Sequence, residues 1–197
     1  MKQTLSLDST VNNATGMNGW RLWVIGRAPD SATLVSPIAR HLHAAKITLP
    51  HDGDFQAFCD RGHIPPHPDC ECGVYFIGDA HSMLEWADRF GFLKTPHCAL
   101  TNGTGAGPFL RSTYRDLGGI PLPATSLRAA RFRATAILAA GEGRGLTRYS
   151  VPVYRGPLTL AKMREVERIH LVDKDRTSAE ALIKAKVTAD RTRPEPG

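Results

Sequence analysis

The chain has 197 residues, 42% hydrophobic and 22% charged, which is the composition of an ordinary globular protein with material for one core. Its formal charge of +6 is lopsided, with 8 Lys and Arg against 10 acids in residues 1–110 and 17 against 9 in residues 111–197. The absence of any run of about 18 apolar residues argues against a membrane-spanning helix, and the polar N-terminus lacks the apolar stretch of a secretory signal.

Residues 1–18 are therefore expected to be a flexible leader, residues 19–190 a single globular domain, and residues 191–197 a frayed tail, in a cytoplasmic protein with no membrane partner. Trp20 to Gly26 is rich in strand formers and alternates in part, which predicts a first strand. Ala32 to Ile38 predicts a second, ended by Pro37. Residues 39–53 are expected to be irregular, and Asp54 to Cys59 to make one or two helical turns. Gly73 to Ile77 reads as a buried strand. Asp79 can cap a helix on which Ala80, Met83, Leu84, Ala87 and Phe90 recur at helical spacing, with Gly91 closing it. On that helix His81 and Glu85 read as a surface pair.

Thr101 to Pro108 reads as a glycine-rich loop, and its spacing matches neither of the phosphate-loop patterns. Leu127 to Ala139 predicts a long strand. Gly141-Glu-Gly-Arg-Gly145 then turns the chain into a partner strand from Leu146 to Tyr154, forming a hairpin. Leu158 to Glu165 predicts a short helix and Arg168 to Val172 a strand. Thr177-Ser-Ala-Glu180 is a capping box before a last helix reaching about Val187. Together these elements predict an α+β fold. Its sheet is mainly antiparallel and barrel-like, with two or three peripheral helices and zinc pinning one corner.

All four cysteines lie between positions 59 and 98. Cys59-Asp-Arg-Gly-His63 places a thiol and an imidazole four apart, and Cys70-Glu-Cys72 adds two more thiols, a set that suits tetrahedral Zn²⁺. Pro65, Pro66 and Pro68 stiffen the connection and lower the entropy lost on closing the site. The predicted ligands are Cys59, His63, Cys70 and Cys72, in a closed structural site. His67 is an alternative fourth ligand, and Cys98 or His97 could return from the next segment. Neither the paired CxxC ribbon nor the zinc deaminase signature is present. An enzyme would need a carboxylate- or His-lined pocket, and the spacing of these residues does not identify one.

The same residues carry a resemblance. Trp20-Arg-Leu-Trp23, Leu34-Val-Ser-Pro37, Cys59 and His63-Ile-Pro-Pro-His-Pro-Asp-Cys70-Glu-Cys72-Gly-Val-Tyr75 resemble a family of small uncharacterised proteins from actinobacteria and their phages. The likeness covers roughly residues 19–155 and weakens after Gly145, with Cys-x-Cys-Gly its specific element. The resemblance implies a metal site with His63 in the ligand position, and no established activity.

Between Arg111 and Arg155 stand eight Arg and no Lys, with Asp116 and Glu142 the only acids. Such a stretch suits a polyanion, although a solvated face reads the same way. Trp20, Arg21, Arg131, Arg133, Arg148 and Tyr149 fall on predicted strands, where aromatics could stack on bases and arginines pair with phosphates. The sequence thus leads to a zinc-stabilised nucleic-acid-binding protein, of phage or regulatory character. The alternatives are an adaptor whose basic surface meets an acidic protein, and an enzyme acting on a nucleotide or nucleic acid.

Overall fold

The computed structural model describes residues 10–11, 16–27, 32–37, 47–112, 122–141 and 145–170. Its strands are β1 (Thr10–Val11), β2 (Met17–Arg27), β3 (Ala32–Val35), β4 (Asp54–Gln56), β5 (Val74–Ile77), β6 (Cys98–Arg111), β7 (Ser126–Ala139) and β8 (Val153–Arg155). Helix α1 spans Ala80–Arg89, and residues 160–170 are helical. The strands form one mixed, mostly antiparallel sheet, and the fold is α+β as expected.

Strands β6 and β7, of 14 residues each, form its spine. β2 pairs with β6 along eight positions, and with β5 at Trp20 and Ile77. β5 pairs with β7, and β7 with β6, so the hydrogen-bonded path β6–β2–β5–β7 returns to β6 as a ring.

Both faces of this ring are apolar, which explains strands that do not alternate cleanly. One face gathers Trp23, Phe76, Phe109, Phe132 and Ile137. The other gathers Trp20, Leu22, Ile77, Leu100 and Leu138 beneath Met83, Trp86 and Ala87 of α1 and Met163 and Val166 of the 160–170 helix. Trp20 is fully buried, and its indole Nε1 donates to Glu167 Oε1 at 2.6 Å, which ties that helix to the sheet. Asp79 caps α1 by accepting from the Ser82 N–H at 2.7 Å, Gly91 follows it at φ 73°, and His81 and Glu85 pair on its exposed side at 3.5 Å.

Several expectations are corrected. Asp54 to Cys59 is not helical: Asp54–Gln56 is β4, held against Arg131–Arg133 of β7. Thr101 to Pro108 is no loop but the middle of β6. Its glycines are there because a side chain would have no room. A Cβ on Gly103 would lie 2.7 Å from the Phe132 ring and collide with the Arg133 carbonyl. Gly103→Ala should therefore lower stability by about 2 kcal/mol or more. Gly78→Ala, where a Cβ would sit 3.4 Å from the nearest atom, should change it little. Urea unfolding of the two variants checks this contrast.

The predicted hairpin is also corrected. Leu146–Arg148 is a short 3-10 turn, and β8 returns beside β7 in parallel, not antiparallel. Residues 168–170 are helical and not a strand. Thr10 and Val11, within the expected leader, pair with Leu110 and Phe109, and β2 begins at Met17. The predicted last helix and the tail lie outside the described residues.

Candidate metal centre

After β4, the Ala57 N–H donates to the Ala130 carbonyl at 2.8 Å, prolonging the strand edge by one residue toward Cys59. A turn closed by the Gly62 N–H on the Cys59 carbonyl, with Gly62 at φ 76°, then brings His63 back over Cys59. The Pro65–Pro66 peptide is cis. A second turn, with the Cys70 N–H on the His67 carbonyl at 3.2 Å, delivers Cys70 and Cys72 to the same point.

One ligand atom from each of Cys59, His63, Cys70 and Cys72 lies within 4.8 Å of the others. The Cys59 and Cys70 sulfurs are 3.7 Å apart, and none of the four cysteines forms a disulfide. Two thiolates each ~2.3 Å from one tetrahedral ion would be separated by about 3.8 Å. The spacing is thus that of sulfurs sharing an ion.

The four residues fit a metal in two further respects. His63 Nδ1 is buried without a hydrogen-bond partner, a cost that a coordinated cation would remove. Clustered thiols also oppose one another's ionisation. Burial, together with the nearby Cys70 and Cys59, pushes the Cys72 thiol up to about 11, although the His67 backbone N–H opposes this. Burial raises Cys59 too, but the backbone N–H groups of His63 and Arg61 and the thiols of Cys70 and Cys72 hold it below its ordinary value. A bound cation would favour the thiolate form at each sulfur and so offset that mutual opposition.

The structure separates the alternative ligands. His67 stacks on His63 with ring centres 4.2 Å apart, and its Nδ1 accepts from the Asp69 N–H at 3.2 Å. It supports the loop and lies outside the cluster. Cys98 is fully buried at the start of β6 and donates to the Thr95 carbonyl at 3.6 Å. The His97 carbonyl accepts from the Ile25 N–H.

Sequence reading missed Arg128. This arginine of β7 is 4% exposed, and its guanidinium donates to the carbonyls of Cys70 and Cys72 while lying 5.8 Å from the Tyr75 ring centre. It clamps the Cys70–Cys72 loop to the sheet. Gly73, at φ 130°, lets the chain pass: a Cβ there would meet Arg128 Cβ and Pro66 Cβ at 3.1 Å each. Parity could not reveal it, because Leu127 and Ala129 join the apolar cluster of Phe132 and Ala134, so the alternation along β7 breaks between Ala129 and Phe132 and leaves Arg128 beside Tyr75.

The six residues expected to meet nucleic acid divide. Arg131 and Arg133 are exposed on one face of β7, and Arg131 is paired with Asp54 through both carboxylate oxygens. Arg148 is exposed, but it stands on the 3-10 turn instead of a partner strand. Trp20, Arg21 and Tyr149 are buried, which corrects the idea of a surface stacking platform. The Arg21 guanidinium donates to the Tyr75 carbonyl and, at 3.2 Å, to Ser36 Oγ, and sits 4.6 Å from the Trp23 ring centre. Burial pulls it down to about 10, still charged at neutral pH. The Tyr149 hydroxyl accepts from the Leu34 N–H at 2.8 Å, deep in the core.

Fold and site together define an α+β protein carrying a candidate Cys₃His metal centre at the edge of a closed ring of strands. No family model, curated protein or solved structure matches the chain. Among the described residues no helix is long and apolar enough to cross a membrane.

Proposed function

We propose that the protein is a zinc-stabilised nucleic-acid-binding protein. Three thiolates and one imidazole are the donors Zn²⁺ favours, and four protein ligands leave no open position for catalysis, so the zinc is structural. Thiols kept for a metal suit a reducing compartment, the cytoplasm. The resemblance to actinobacterial and phage proteins favours a phage or regulatory setting.

The observation that carries the nucleic-acid reading is the pair Arg131 and Arg133, exposed side by side in the basic half of the chain. Because Asp54 neutralises Arg131, Arg133 contributes more to the interaction. Arg133→Gln should weaken binding more than Arg131→Gln does, and Asp54→Asn should strengthen it by freeing Arg131. The double arginine variant should lose about tenfold or more in affinity, and its salt slope should fall by roughly two charges. Fluorescence anisotropy with single- and double-stranded oligonucleotides over a salt series measures all four variants. A parent chain that binds neither oligonucleotide at low salt refutes this reading and leaves the adaptor for an acidic protein.

A further inference from the structure

We propose that the metal-closed lobe, residues 57–73, is a docking surface for a basic protein segment, anchored by Phe58 and Ile64. This surface is distinct from the arginine face of β7, and the proposal does not depend on nucleic-acid binding.

Phe58 and Ile64 are each 85% exposed, and the next most exposed large hydrophobic among the described residues is Ile169 at 37%. Each is adjacent to a metal ligand, Cys59 or His63. When those ligands turn inward to a common centre, their neighbours turn outward. That geometry explains why positions 58 and 64 face solvent, but not why they hold a phenylalanine and an isoleucine. Exposed apolar side chains on a backbone pinned by an ion are already ordered, so a partner gains their burial at little further entropic cost.

Charge identifies the partner. Residues 57–73 hold three carboxylates and one cation, Arg61. Asp60, Asp69 and Glu71 are exposed in the lobe, and Asp54, just before it, is already matched by Arg131. The residual charge of three thiolates on a divalent ion is matched by Arg128 behind the lobe, so the carboxylates set the sign of its surface. An apolar centre within an acidic rim repels nucleic acid and complements a Lys- or Arg-bearing segment that carries an apolar side chain.

The test is a random-peptide display selection on the metal-loaded full chain, counter-selected with a Phe58→Ser/Ile64→Ser variant. Enriched peptides are then synthesised and titrated by anisotropy. They should carry Lys or Arg around an apolar residue and bind the double variant at least tenfold more weakly, while that variant keeps the thiolate–cobalt absorption of the parent. Asp60→Asn/Asp69→Asn/Glu71→Gln leaves the apolar pair intact and reads the same surface independently. It should weaken binding and flatten the salt dependence. The proposal is overturned if no basic peptide is enriched, or if the enriched peptides bind parent and both variants alike. It is also overturned if sedimentation shows self-association that the double variant abolishes, which would assign the surface to a second copy.

Discussion

Stripping the metal from the purified chain should lower its melting temperature by ~10 °C or more, and Cys70→Ser should do the same. Structural zinc contributes about 10 kcal/mol or more in peptides that have no other source of order. Here the ring of strands has its own two apolar clusters, so the ion supplies only part of the chain's stability. A loss of about 3–5 kcal/mol is then expected, equivalent to roughly 2–4 °C per kcal/mol in a chain of this size. Residues 57–73 contain few ladder hydrogen bonds beyond the two turns, so their amides should lose exchange protection first, while β6 and β7 lose less of theirs. Acid should act in the same direction as a chelator, because protons compete with the metal for all four ligands. Elemental analysis should find about one zinc per chain. A metal-free protein with unchanged melting and exchange would show that the cluster holds no structural ion.

The candidate metal cluster was legible because its information is local. Four candidate ligands within residues 59–72 meet through two short turns, so spacing alone carries most of the geometry. Even the fourth ligand, open between His63 and His67 on spacing, is separated by a short-range contact, the Asp69 N–H on His67 Nδ1. Helix α1 was legible for the same reason, since its cap, stripe and closing glycine all lie within residues 79–91.

What could not be read depends on residues far apart in the chain. The glycines of β6 resemble a loop until Phe132 and Phe76 are placed against them across the ring. Arg21 looks like a surface strand residue. Its partner, the Tyr75 carbonyl, lies 54 positions away, and aromatic rings cover the guanidinium. The aromatic and arginine residues chosen as a binding platform have the composition of one, but a sheet buried on both faces draws Trp20 and Arg21 inward, and Tyr149, just after the 3-10 turn, reaches the Leu34 N–H in the core. The hairpin failed for a different reason. After Gly145 the chain makes a 3-10 turn and runs back alongside β7 in the parallel sense, so Arg148 never faces Arg131 across a ladder.

Replacing Arg128 with methionine should weaken metal binding by about 10–100-fold, with a smaller effect on the fold. The guanidinium reaches the Cys70 and Cys72 carbonyls from 58 and 56 residues away, so it fixes the lobe to the sheet where two ligands leave the chain. Methionine preserves much of the apolar stem but has no donors. Two carbonyls then lose a charged hydrogen-bond partner, worth about 1–3 kcal/mol each if they stay dry. They do not stay fully dry, because Cys70 and Cys72 are only half-buried. Removing a buried cation also recovers part of its desolvation cost. These offsets should hold the stability change to about 1–2 kcal/mol. Nothing offsets the loss at the metal. Three thiolates around a divalent ion keep a net negative charge, and the Arg128 cation beside their backbone compensates it. Competition against a chromophoric chelator measures the affinity, and Arg128→Lys, a cation without the planar fork, should fall between the two. A methionine variant that holds its metal as tightly as the parent would show that the clamp serves the sheet alone.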